Sequence, residues 1–204
     1  MNKHLRQASL VALLMAISIE AVQGQTISLV PSDTLVETGE ALMLDLVISG
    51  LGDFSSPSIS AFEFDISFDS NILAFNGLDF GDPQLGDLLD NSGFAVQNVN
   101  ETIPGIVNFL EVSGDSDLEL NAAQPDTFIL GVVNFQAIST GETTLELTVQ
   151  ELLDEGENPL SLDSPPESVL VSTQMVPEPR VHLAIIGLGM TLILGKCLKG
   201  KTSA

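Results

Sequence analysis

From Ala61 to Phe68 the chain alternates between two side-chain classes without interruption: Phe62, Phe64, Ile66 and Phe68 on one parity, Glu63, Asp65 and Ser67 on the other. A period of two places successive side chains on opposite faces of an extended strand, so one face lies on a core and the other in water. Leu42, Leu44, Leu46 and Ile48 repeat the pattern against Met43, Asp45, Val47 and Ser49. A helix would scatter these apolar residues around its circumference, so the pattern commits the chain to sheet structure.

Segments 26–30, 72–75, 94–98, 106–112, 128–137, 145–149 and 169–172 read as further strands. Turn chemistry separates them, as in Glu37-Thr38-Gly39-Glu40, Gly81-Asp82-Pro83, Asn91-Ser92-Gly93, Ile103-Pro104-Gly105 and Ser139-Thr140-Gly141-Glu142. About nine short strands with almost no helical periodicity predict an all-β sandwich. One helical turn is expected at 87–90. An acidic, Pro-containing loop is expected over 154–166.

Charge narrows the chemistry. Residues 7 to 179 contain no Lys, Arg, His or Cys, while 27 of the 28 acidic residues lie between Asp33 and Glu178. No salt bridge can form within such a domain, and nucleic acid is excluded as a partner because nothing can neutralise phosphates. The field favours cations and basic proteins instead. Mutual repulsion among the carboxylates predicts folded pKa values raised on average above the unfolded ones. Catalytic triads, thiolate nucleophiles and imidazole metal sites cannot be assembled, so the chain is not expected to be an enzyme. The single cysteine, Cys197, lies near the C-terminus, which leaves the domain without a disulfide.

One stretch has candidate metal ligands. Asp115, Asp117 and Glu119 alternate after Gly114, and Asp126 stands at position twelve counted from Asp115, an order similar to a calcium loop. Position six is Leu120 rather than Gly, and position twelve is Asp rather than Glu, which favours a solvated acidic turn. No other cofactor is expected.

The ends read separately from the middle. Lys3, His4 and Arg6 precede an apolar run from Ala8 to Ile19 and the small residues Ala21 and Gly24, the order of a secretory signal peptide over residues 1–24. Residues 25–173 form the sandwich and residues 174–180 a linker. Residues 181–204 are expected to form a transmembrane helix and a basic tail, the apolar run from Val181 to Gly195 preceding Lys196, Lys199 and Lys201 on the cytoplasmic side.

Three segments resemble a cohesin module: 36–40 leading into the Leu42 strand, 59–69 followed by Ile72-Leu73, and Phe135-Gln136-Ala137 with Gly141 and 144–147. The resemblance spans roughly residues 26 to 173. It implies a nine-stranded jelly-roll sandwich, similar to certain cellulose-binding modules, that binds dockerin modules on one sheet face. The tail, with Val176, Pro177, Glu178 and Pro179 before an apolar segment and terminal lysines, resembles the PEP-CTERM sorting signal. That likeness implies an exosortase-type processing enzyme in a Gram-negative bacterium, acting at Pro177, Glu178 and Pro179.

These readings converge on a non-catalytic binding or scaffolding module, exported, anchored in the membrane, and displayed at the cell surface or in the extracellular matrix. The expected partner is a dockerin-bearing or basic secreted protein; the alternative is an extracellular polysaccharide. Outward residues Glu63, Asp65 and Glu146 are the expected binding face, a polar and negative surface. Sugar recognition has fewer handles, because the chain lacks Trp and Tyr and only Phe54, Phe80 and Phe94 are candidates for exposure.

Overall fold

The computed structural model describes residues 24–176. The expected signal peptide, the C-terminal helix and Pro177, Glu178 and Pro179 lie outside the described residues. Among the described residues no helix is long and apolar enough to cross a membrane.

Ten strands and one short helix follow in the order β1 (Thr26–Pro31), β2 (Leu35–Glu37), β3 (Ala41–Ser49), β4 (Ile59–Ser67), β5 (Leu73–Phe80), β6 (Val96–Ile103), β7 (Ile106–Val112), α1 (Asp117–Ala123), β8 (Thr127–Ala137), β9 (Gly141–Asp154) and β10 (Val169–Gln174). They form a four-stranded sheet ordered β1-β3-β8-β5 and a six-stranded sheet ordered β2-β10-β9-β4-β7-β6. Strand pairs are antiparallel except β2 with β10.

The alternating segments bury the expected parity. Leu42, Leu44, Leu46 and Ile48 of β3 and Phe64 and Ile66 of β4 are fully buried between the sheets, with Phe62 nearly so. Aromatic rings tie the layers together. Phe62 stacks on Phe64 at a centroid distance of 4.9 Å, and Phe64 meets Phe109 of β7 edge-on at 5.8 Å. Phe135 of β8 receives Phe68 edge-on at 5.0 Å. These contacts supply a disulfide-free domain with its cohesion.

Local expectations are corrected or extended by the strand pairing and the loops. The helix forms at Asp117–Ala123 and not at 87–90, where Leu88 and Leu89 instead sit in a turn and enter the core. Ser116 caps α1 and Glu119 reaches back to the Ser116 backbone, a capping box that stabilises so short a helix. Strand β9 is longer than 145–149, since it is paired on both sides, by β4 and by β10. The three-residue β2 was too short to show a period. The expected loop after β9 is tethered: Leu160 donates its N–H to Leu152, and Leu160 and Leu162 pack on the core.

One turn fixes the β6–β7 hairpin that flanks the candidate face. Gly105 has φ +90°, and a Cβ there would stand 2.6 Å from the carbonyl oxygen of Phe68, so the position requires glycine on both counts.

Candidate binding face

Strand β4 lies between β9 and β7, and its outward parity carries Glu63, Asp65 and Ser67 into the middle of the six-stranded sheet's exposed face. Asp65 stands opposite Asn108 of β7 and Thr148 of β9, and Ser67 opposite Glu146 of β9. The three residues picked out as a binding face are thus brought to the same side of one sheet. Amides hold two of them, Glu63 and Asp65. Asn108 Nδ2 donates to Glu63 Oε1 at 3.0 Å and to Asp65 Oδ1 at 2.8 Å, and Gln150 Nε2 donates to Asp65 Oδ2 at 2.7 Å. A neutral donor satisfies a carboxylate oxygen without cancelling its charge, so the face stays negative while its side chains are held in place.

Acidity extends to one end of the face. Glu151 stands opposite Glu63, and beyond it a cleft of about 220 Å³ is lined by Asp115, Asp117, Glu151, Glu155 and Glu157 around Ala61, Val112, Leu120 and Leu153. Asp115 accepts from the Asn91 and Ser92 backbone N–H groups at 3.0 Å each, and Glu119 accepts from Ser116 at the start of α1. Asp115 and Glu119 therefore pin a turn and cap a helix. Among the described residues no group of three or more His, Cys, Asp or Glu is placed to hold a metal ion.

Local hydrogen bonds oppose the expected rise at four carboxyl groups. Asp45 is raised, by burial and by the charge of Asp82. Asp115 and Glu155 are lowered even though burial opposes it, because side-chain and backbone donors around each prevail: Ser92 and Asn91 for Asp115, and Ser56, Ser58 and Asn121 among others for Glu155. Asp69 and Glu119 are lowered by donors from Asn71 and Ser116. Local donors outweigh diffuse repulsion at these sites.

Exposed apolar residues border this polar, negative surface. Val96 of β6 pairs with Val112 of β7 on the same outward side as Asn108, and the two are 63% and 45% exposed. Phe94, just before β6, is 76% exposed and packs over Gly114. Ile103 and Ile106 form a second exposed apolar pair at the hairpin end. Of the three candidate exposed phenylalanines, Phe54 and Phe94 are exposed, whereas Phe80 packs against the core. The apolar rim was hidden in the sequence because β7 carries apolar residues on both parities.

No protein-family model matches the sequence. No curated protein matches it either. Solved structures do. A type II cohesin domain from the cellulosome of Acetivibrio cellulolyticus matches with a TM-score of 0.58 and 17% identity, covering 72% of this chain and 95% of that one. The chain has the cohesin fold. A non-cellulosomal cohesin from the archaeon Archaeoglobus fulgidus matches this cohesin-fold domain with a TM-score of 0.53 and 13% identity, over 74% and 91% of the two chains. The sixth cohesin of scaffoldin B from Acetivibrio cellulolyticus, solved in complex with a dockerin, matches with a TM-score of 0.56 and 15% identity, over 74% and 99%.

Proposed function

We propose that this cohesin-fold domain is a non-catalytic binding module that captures a partner protein on the exposed face of its six-stranded sheet. The observation that carries the reading is the composition of that face: amide-held carboxylates at Glu63 and Asp65, an acidic cleft beside them, and an exposed apolar rim at Phe94, Val96 and Val112. Such a surface suits a partner that brings Lys or Arg to the centre and apolar side chains to the rim. A cohesin of the same fold has been solved with a dockerin, which supports a dockerin-bearing protein as the partner class. A polysaccharide would have to use Phe54 or Phe94, the two exposed rings, which stand outside the strands.

The test measures association of a dockerin module with the chain at low and high salt. Exchanging Glu63→Gln, Asp65→Asn and Glu146→Gln together is expected to slow association about tenfold at low salt and to flatten its salt dependence. Val96→Ser with Val112→Ser acts on dissociation instead. An unchanged association rate in the triple variant overturns the assignment of the face, and retention on polysaccharide with no dockerin binding overturns the partner class.

Delivery belongs to the same proposal. The order of basic, apolar and small residues over 1–24 supports export, and the apolar run from Val181 followed by lysines supports an anchor. Pro177, Glu178 and Pro179 stand where an exosortase-type enzyme would act in a Gram-negative bacterium, which would place the domain at the cell surface or in the matrix. Replacing the three with alanine is expected to leave full-length chain in the membrane fraction. Equal release of variant and wild type removes the sorting signal from the proposal.

A further inference from the structure

Among the described residues Glu111 is the only acidic residue that is buried, with 0% of its surface exposed. It occupies the inward parity of β7 with Val107 and Phe109, opposite Phe62 of β4 and Gln97 of β6. Its Oε1 accepts from Gln97 Nε2 at 2.7 Å, and its Oε2 has no partner. The same Gln97 nitrogen donates to Asp87 Oδ2 at 2.7 Å. Asp87 Oδ1 in turn accepts from Leu89 N–H at 3.0 Å, shaping the turn that sends Leu88 and Leu89 into the core, and Asp90 Oδ1 accepts from Ala95 N–H at 2.8 Å.

One amide therefore bridges two carboxyl groups, one of them fully buried with an orphan oxygen, and the domain has no cation to offer it. An ionised carboxylate in that position leaves a buried charge uncompensated. A protonated one gains a donor, and its O–H can be given to the neighbouring carboxylate. We propose that Glu111 and Asp87 share one proton, and that this proton latches the segment 87–95 against the inner end of β6 and β7, releasing it as the solution turns alkaline. The latch stands apart from whatever the outer face binds. Its segment carries Phe94, so release would alter the rim of that face.

The charged groups acting on Glu111 are Asp87 and Asp90, both from the loop, while β4 presents Phe62 and β6 the neutral Gln97. Burial, with the hydrogen bond and charge of Asp87 and the charge of Asp90 adding to it against the Gln97 hydrogen bond, pushes the Glu111 carboxyl up to about 8. An acid whose pKa is higher folded than unfolded gives its stabilisation in full below the unfolded value of 4.5, and that stabilisation is lost as pH rises to about 8.

The test follows the thermal midpoint of the full chain from about pH 5 to about pH 9, with infrared detection of the protonated carboxyl stretch and hydrogen exchange of residues 87–95. Glu111→Gln mimics the protonated acid. Relative to it, wild type is expected to lose midpoint steadily up to about pH 8 and to exchange its 87–95 amides about tenfold faster above that pH after correction for intrinsic rates. The protonated-carboxyl band should be present at neutral pH, vanish by about pH 9, and be absent in Glu111→Gln. Asp87→Asn removes the neighbouring charge and should move the wild-type loss to lower pH. Should Glu111→Gln fail to fold, the wild-type infrared titration and its shift in Asp87→Asn decide the matter. Parallel pH curves for wild type and Glu111→Gln, no band at neutral pH, or unchanged exchange of the segment would each overturn the latch. A midpoint raised by calcium in wild type but not in Glu111→Gln would assign the cluster to a metal and overturn it as well.

Discussion

Replacing Phe64 with alanine is expected to destabilise the domain by about 3–5 kcal/mol, the range for deleting a buried phenylalanine side chain. Phe64 has none of its surface exposed and belongs to β4, which is flanked by β7 and β9. Its ring stacks on Phe62 at 4.9 Å and meets Phe109 edge-on at 5.8 Å, so truncation forfeits two aromatic contacts as well as the transfer of the side chain from water. The surrounding rings are themselves fixed on hydrogen-bonded strands, which limits how far the cavity can collapse. A domain with stability in the usual 5–15 kcal/mol range would lose a large part of it. Urea unfolding of wild type and variant measures this, with the midpoint falling and the slope unchanged. The exposed Phe94 makes the control: Phe94→Ala should shift stability by less than about 0.5 kcal/mol, as surface changes generally do. A loss below about 1 kcal/mol for Phe64→Ala would mean that the core is not centred on this ring.

Gln124→Met is the second large effect, and it arises from hydrogen bonding rather than volume. Gln124 is fully buried just after α1. Its Oε1 accepts from the Ile59 backbone N–H at 2.7 Å, and its Nε2 donates to the carbonyls of Ile59 at 2.8 Å and Leu88 at 3.3 Å. The side-chain amide thus stands in for a neighbouring strand at the first residue of β4 and joins that strand to the loop containing Leu88. Methionine fills a similar volume but takes this partner from the Ile59 N–H and carbonyl, each at about 1–3 kcal/mol, while the Leu88 carbonyl keeps Asn91 Nδ2. A total loss of about 3 kcal/mol or more is expected in thermal or urea unfolding, with faster hydrogen exchange at Ile59. Gln124→Glu should also be destabilising, because a carboxylate cannot donate to the Ile59 carbonyl and would carry a buried charge. Retention of stability within about 1 kcal/mol in the methionine variant would show that water replaces the amide there.

The buried parity of β3 and β4 could be read directly from the chain, since Leu42 to Ile48 and Phe62 to Phe68 each alternate cleanly and a strand has only two faces to choose between. The lack of any basic residue from 7 to 179 likewise settled, before any folding, that carboxylates here would find no ion pair. The alternation of apolar and polar residues placed Glu63, Asp65 and Glu146 on outward parities. Asp115, Asp117 and Glu119 read in the sequence as a solvated acidic turn, whereas in the fold Glu119 completes the capping box of a short helix begun by Ser116. Tertiary structure decided the rest. β7 runs Ile106-Val107-Asn108-Phe109-Leu110-Glu111-Val112, with apolar residues on both parities, so nothing local indicates that Glu111 turns inward while Val112 turns out. That choice is made by pairing with β4 on one side and β6 on the other. The amides that hold the acidic face are also distant in the chain: Asn108 lies 43 residues from Asp65, and Gln150 lies 85 from it. Their meeting depends on strand register, including the irregularity between Glu63 and Phe64 where β4 meets β9. Register is a property of packed neighbours, because a slip of one residue reverses every side chain and only the assembled core penalises it.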